Sequence, residues 1–204
     1  MATPFAVHDV GNALITYLRQ AYDEYLTHVV EKLGGATLKD QMACEFSQIT
    51  CAELKEEATF SNALTLMLYR VTINQHLRNV GKLPHASQPP TPLALDLHYL
   101  LTIWNENAAV EQTILAWAMR ELHLHPVLDR SMLHDPKANW QAADAIQVIP
   151  AEISNEDMMR IWDALIPAYR LSVSYIGRVV RIDPDVIEDA QPVVATRFSL
   201  QEGP

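Results

Sequence analysis

The sequence predicts an α/β (α+β) fold, a mixed β-sheet flanked by helices. Three stretches predict it. Residues 93–104 alternate, with Leu93, Leu95, Leu97, Tyr99, Leu101 and Ile103 spaced by two and Ala94, Asp96, His98 and Thr102 between them. Residues 169–182, YRLSVSYIGRVVRI, form a second long alternating run. Residues 8–32 instead repeat with a helical period. Alternation of period two marks a strand with two different faces, and a period near 3.6 marks an amphipathic helix.

In chain order, Val7, Val10, Leu14, Leu18, Ala21, Tyr25 and Val29 make the first helical stripe, widened by Ile15, Tyr22 and Leu26. The Gly34-Gly35 pair should end it. A polar, acidic stretch through Glu57 holds Phe46 and Ile49 as its only strand signal and reads as a short edge strand and loop. Residues 62–73 alternate with Leu64, Leu66 and Leu68 on one side and Thr65, Met67, Tyr69 and Val71 on the other, so a strand apolar on both faces is expected inside the sheet. Residues 81–92 are proline-rich and read as an exposed connector.

The strand over 93–104 has one apolar face and one mixed face, which carries Asp96, His98 and, further along, Trp104. That mixed face suits contact with another protein. Val110, Ile114, Trp117, Ala118 and Leu122 then space a helix that Pro126 bounds. Residues 145–153 read as a short strand whose Pro150 belongs at an edge or bulge. Ser154 and Asp157 resemble a capping box that opens a helix through Leu165. The long strand over 169–182 follows, and an acidic tail with Asp183, Asp185, Glu188 and Asp189 leads into the weakly strand-like PVVATRFSL. One domain over 1–183 and an extended tail over 184–204 are expected.

The 204 residues carry a formal net charge of −10 with no basic cluster. Phosphate neutralisation dominates nucleic-acid affinity, so neither nucleic acid nor an anionic membrane is an expected partner. Cys44 and Cys51 are the two cysteines and make no C-x-x-C pair, so a reducing cytoplasm is the simpler expectation. MATPFAVHDVG lacks the pattern of a secretory leader, and no apolar run is long enough to span a bilayer.

Little in the sequence carries chemistry. His123 and His125 lie two residues apart at a helix end and do not share a face; His134 as a third metal ligand would require a fold the spacing does not supply. Asp96 and His98 lie on one strand face about 7 Å apart, and Ser174 is a conceivable third member of a hydrolase triad. No nucleophile elbow or glycine-rich phosphate loop accompanies them. Glu53, Glu56 and Glu57 form an ordinary charged surface run. Arg70, Arg78, Arg170, Arg178 and Arg181 sit on or beside strands, where arginine pairs with carboxylates inside a protein or across an interface. Together with Asp96 and His98 they are the candidate interface residues. No catalytic residue, metal or cofactor is assigned.

The blocks LMLYRVTINQHLRN, PPTPLALDLHYLLTIW, LAWAMRELHLHPVLDRSML and ISNEDMMRIWDALIPAYRLSVSYIGRVVRI occur in this order. Together, over roughly residues 8–182, they resemble the tail-terminator, or cap, proteins of extracellular contractile injection systems, such as the antifeeding prophage and related virulence cassettes. The resemblance implies a tail-terminator-like fold and a hexameric ring. Such a ring sits on the last layers of the inner tube protein and the contractile sheath protein, ending their polymerisation at the end distal to the baseplate. It implies assembly in the cytoplasm as part of a phage-tail-like particle, and no enzymatic activity. Other readings are a tube- or sheath-adjacent adaptor of the same particle, and a small hydrolase using Asp96, His98 and a serine. PVVATRFSL, or the 81–92 loop, is expected to serve as an arm to a neighbour or to the sheath.

Overall fold

The first helix, α1 (Ala6–Tyr25), turns Val10, Leu14, Leu18 and Tyr22 inward, as its period predicts. The structure, a computed structural model, describes residues 2–54, 60–77 and 92–184. A π-helical turn at Leu26–Val30 continues α1 into α2 (Glu31–Gln41). Gly35 does break the helix, at φ 69°, but the chain resumes a helical course to Gln41 instead of ending there. No residue of α2 is buried. Only Leu38 packs, half-buried, against the core, too little for an apolar stripe, which is why this stretch reads as loop in the sequence.

Strand β1 (Glu45–Ile49) runs parallel to β2 (Ala63–Ile73), and β2 forms an antiparallel pair with β3 (Leu93–Trp104). Helix α3 (Ala108–Leu124) follows, its first turn capped by the Asn107 side chain, which accepts from the Ala109 and Val110 amides. The two-residue strand β4 (Val127–Leu128) and a 3₁₀ turn at Pro136–Ala138 precede β5 (Ile146–Pro150); both are too short to show a period in the sequence. Helix α4 (Asn155–Asp163) opens on Ser154, whose Oγ accepts from the Asp157 amide at 3.0 Å, the expected cap. Strand β6 (Ser172–Ile182) closes the fold. The six strands lie in the order β1-β2-β3-β6-β5-β4, a mixed sheet flanked by helices. Pro150 pairs with Tyr175 of β6 but lies beyond the reach of β4, so its missing amide disrupts no ladder.

Helices α1 and α3 cover one face. There Leu97, Leu101 and Ile103 of β3 meet Leu14, Leu18, Ile114 and Trp117 in the main core. Each fully buried leucine or isoleucine contributes about 1.5–3 kcal/mol by leaving water. Helix α4 covers part of the opposite face, where Met158 and Trp162 pack on Met67, Leu100 and Trp104.

The register slips between Leu68 and Arg70, so Tyr69 is the extra residue of a bulge. Strict alternation would leave Val71 beside Met67. Instead Val71 pairs with Leu97 and turns to the α1 side, while Arg70 pairs with His98 on the other. This corrects the expected placement of Val71.

Candidate assembly surface

The face opposite α1 divides into a sealed half and an open half. Trp104 anchors the sealed half. Its Nε1 donates to Thr65 Oγ1 at 2.9 Å, and the Phe60 and Trp162 rings lie 5.0 and 6.1 Å from it. The Arg170 guanidinium caps the indole at 5.7 Å. Trp104 is therefore only 4% exposed. The sequence places this indole on a contact face; the structure instead spends it on holding α4 to the sheet, because Met158 and Trp162 bring an apolar stripe over it.

The open half is a groove of about 570 Å³ between β2, β3, β6 and α4, lined by Tyr69, Arg70, His98, Ile153, Asp157, Arg160 and Ile176 among others. His98 Nε2 lies 3.0 Å from Thr72 Oγ1. Partial burial, and then the Arg70 charge, push the imidazole below its ordinary value, against a weaker opposite pull from Asp96. Asp96 accepts twice from Asn74 Nδ2, at 3.0 and 3.1 Å, while Asn74 Oδ1 accepts from the His76 and Leu77 amides. Its carboxylate thus fixes the turn after β2.

Ser174 Oγ pairs with Tyr69 OH at 2.9 Å. Asp96, His98 and Ser174 therefore each bond to a different neighbour, and no Asp–His or His–Ser hydrogen bond joins them. Such geometry does not assemble a nucleophile with its base.

The structure brings together Arg70, Asp96 and His98 through the β2–β3 register. Arg170 lies apart, over Trp104, with a buried Nε that has no partner among the described residues. Arg178 stands opposite Gln147 of β5, and Arg181 is exposed opposite Ala94, beside Trp140 and Asp144 in a smaller cleft. Arg78 lies outside the described residues, as do most of the 81–92 connector and the tail from residue 185. The groove wall contributed by Ile153, Asp157 and Arg160 does not appear in the sequence reading, since only the tertiary packing of α4 puts it there. The bulge that turns Arg70 into the groove does leave a signal. Without it, the arginine would follow Leu64, Leu66 and Leu68 into the core.

His123, His125 and His134 are exposed, and His125 lies 3.6 Å from Glu121, which also accepts from Tyr17 OH at 2.6 Å. Among the described residues no three His, Cys, Asp or Glu side chains are grouped to hold a metal ion. No helix among them is long and apolar enough to cross a membrane. Cys44 and Cys51 are both free, and burial pushes the Cys44 thiol up to about 12.

No curated protein matches the chain. The solved structures similar to it include two terminators. One is the PVC sheath/tube terminator of an extracellular contractile injection system in its extended state, 15% identical with a TM-score of 0.39, covering 69% of this chain and 50% of that one. The other is the anti-feeding prophage cap, described as a tube terminating cap, 16% identical with a TM-score of 0.39, covering 68% of this chain and 49% of that one. The chain thus spans about half the length of each. Residues 9–196, nearly all of the chain, match the model of the Pvc16 N-terminal domain, and the chain belongs to that family.

Proposed function

We propose that this chain is a structural cap. It forms a hexameric ring on the last layers of the inner tube and the contractile sheath of an injection particle and ends their polymerisation at the end away from the baseplate. The observation that carries the reading is family membership over residues 9–196. The surface described above is of the kind such a role needs. Its open half-face carries Arg70 and His98 beside apolar Ile153 and Ile176, a mixture suited to protein contact. Head-to-tail contacts between copies close into a ring when the rotation per subunit fits.

Arg70, Arg178 and Arg181 are the residues proposed to meet neighbours. Arg70→Glu should leave the melting temperature of the free chain unchanged and lower the yield of capped particles. The test of the whole reading is electron microscopy of particles assembled without this protein. Tubes of uncontrolled length are expected; tubes of normal length would overturn it. Images of the purified protein should show six-fold rings.

A further inference from the structure

We propose that the outer edge of β2, from Leu68 to Ile73, is a docking strip for residues 192–200 of a second copy of this chain, which add to it as a strand. The inference deepens the ring reading and rests on it.

Strand β1 pairs with β2 only from Ala63 to Met67. Among the described residues nothing pairs with the outer edge of β2 beyond that point. Six residues of strand, about 20 Å, thus present unpaired backbone groups to any strand of suitable pattern. The bulge at Tyr69 turns Val71 and Ile73 to the α1 side of the sheet, yet they are 46% and 50% exposed. Leu93, beside them on β3, is 45% exposed. A free ladder edge flanked by half-exposed β-branched residues is the geometry of strand addition, in which main-chain bonds hold the guest and alternate side chains select it.

The sequence of the tail fits the strip. In PVVATRFSL, Val194, Phe198 and Leu200 fall on one side of an extended chain, matching Val71 and Ile73.

The guest comes from a neighbour because the chain's own exit points the other way. Asp183 donates its amide to Ala2 O at 3.0 Å, and Thr3 donates to Ala138 O at 3.0 Å in the segment between β4 and β5. The tail thus departs from the end of β6, two strands from β2, and is anchored through Ala2 toward the β4–β5 side. A tail that leaves one part of a copy and docks at a different part of the next makes a head-to-tail contact, the kind that closes rings.

The test uses three full-length proteins in sedimentation velocity, with circular dichroism to verify folding: the unmodified chain, an edge variant carrying Val71→Asp and Ile73→Asp, and a tail variant carrying Val194→Asp and Phe198→Asp. The unmodified chain should self-associate, and each variant alone should associate at least tenfold more weakly. An edge variant still has a good tail and a tail variant a good edge, so their mixture should recover a two-chain complex. Variants that associate like the unmodified chain would overturn the docking strip and leave the ring reading standing. Monomeric variants whose mixture stays monomeric would overturn docking between copies. An unmodified chain that is monomeric at every concentration would overturn this proposal, while the tube-length experiment would decide the capping role separately.

Discussion

The indole Nε1 of Trp140 donates to the Asp9 carboxylate at 2.7 Å, joining the first turn of α1 to a segment 131 residues away. The Asp135 amide reaches the same oxygen at 3.2 Å, and Asp9 is 1% exposed. A carboxylate this deep is tolerated because two donors and the helix N-terminus satisfy it. Asp9→Ala leaves both donors without an acceptor and should cost about 2–4 kcal/mol in urea unfolding. Asp9→Asn keeps an acceptor and should cost less; equal losses for the two would show that the hydrogen bonds are not what holds this segment.

Leu97 lies at the centre of β3 with no exposed surface. A carboxylate there has no partner, so Leu97→Asp should remove several kcal/mol from a total of about 5–15 and leave the chain largely unfolded at 25 °C. A cooperative thermal transition near that of the unmodified protein would contradict the assigned core face.

Two tryptophans in the sealed half should respond differently to the same change. Trp162 Nε1 is buried without a partner among the described residues, whereas Trp104 Nε1 donates to Thr65. Replacement by Phe removes an unsatisfied donor in the first case and a hydrogen bond in the second. Trp104→Phe should therefore be more destabilising than Trp162→Phe by about 1 kcal/mol. Chemical denaturation of the pair checks the order.

His98 gives stability an acid-side dependence. Burial and the Arg70 charge hold its folded-state value below the ordinary 6.5. Below that pH the unfolded chain takes up a proton that the folded chain resists. The unfolded state then binds more protons, so this contribution to stability falls as pH drops below about 6.5 and is complete above it. His98→Gln should flatten that part of the stability–pH curve, measured by denaturant midpoints across the range. An unchanged slope would remove His98 as its source.

Elements with a buried face are legible in the sequence, and those without one are not. Strand β3 follows from alternation because Leu95, Leu97, Tyr99, Leu101 and Ile103 all enter one core. Helix α4 follows from Ser154 and Asp157, whose hydrogen bond is local. Helix α2 is invisible because it has no fully buried residue and packs only Leu38 against the core. The bulge at Tyr69 disturbs a period that Val71 otherwise continues, and only the arginine beside it betrays the slip. At the candidate surface, alternation alone places Asp96 and His98 on one face. The burial of Trp104 depends on a helix that arrives more than fifty positions later, and the role of Asp9 depends on a tryptophan more distant still. Pairings across such separations leave no local pattern.

Because β1 stops short of the end of β2, while the opposite border of the sheet is the two-residue β4, the two borders differ. An object so built has a sense of direction. Copies joined border to border must all face the same way round, and a row of them can lengthen only by repeating a single turn.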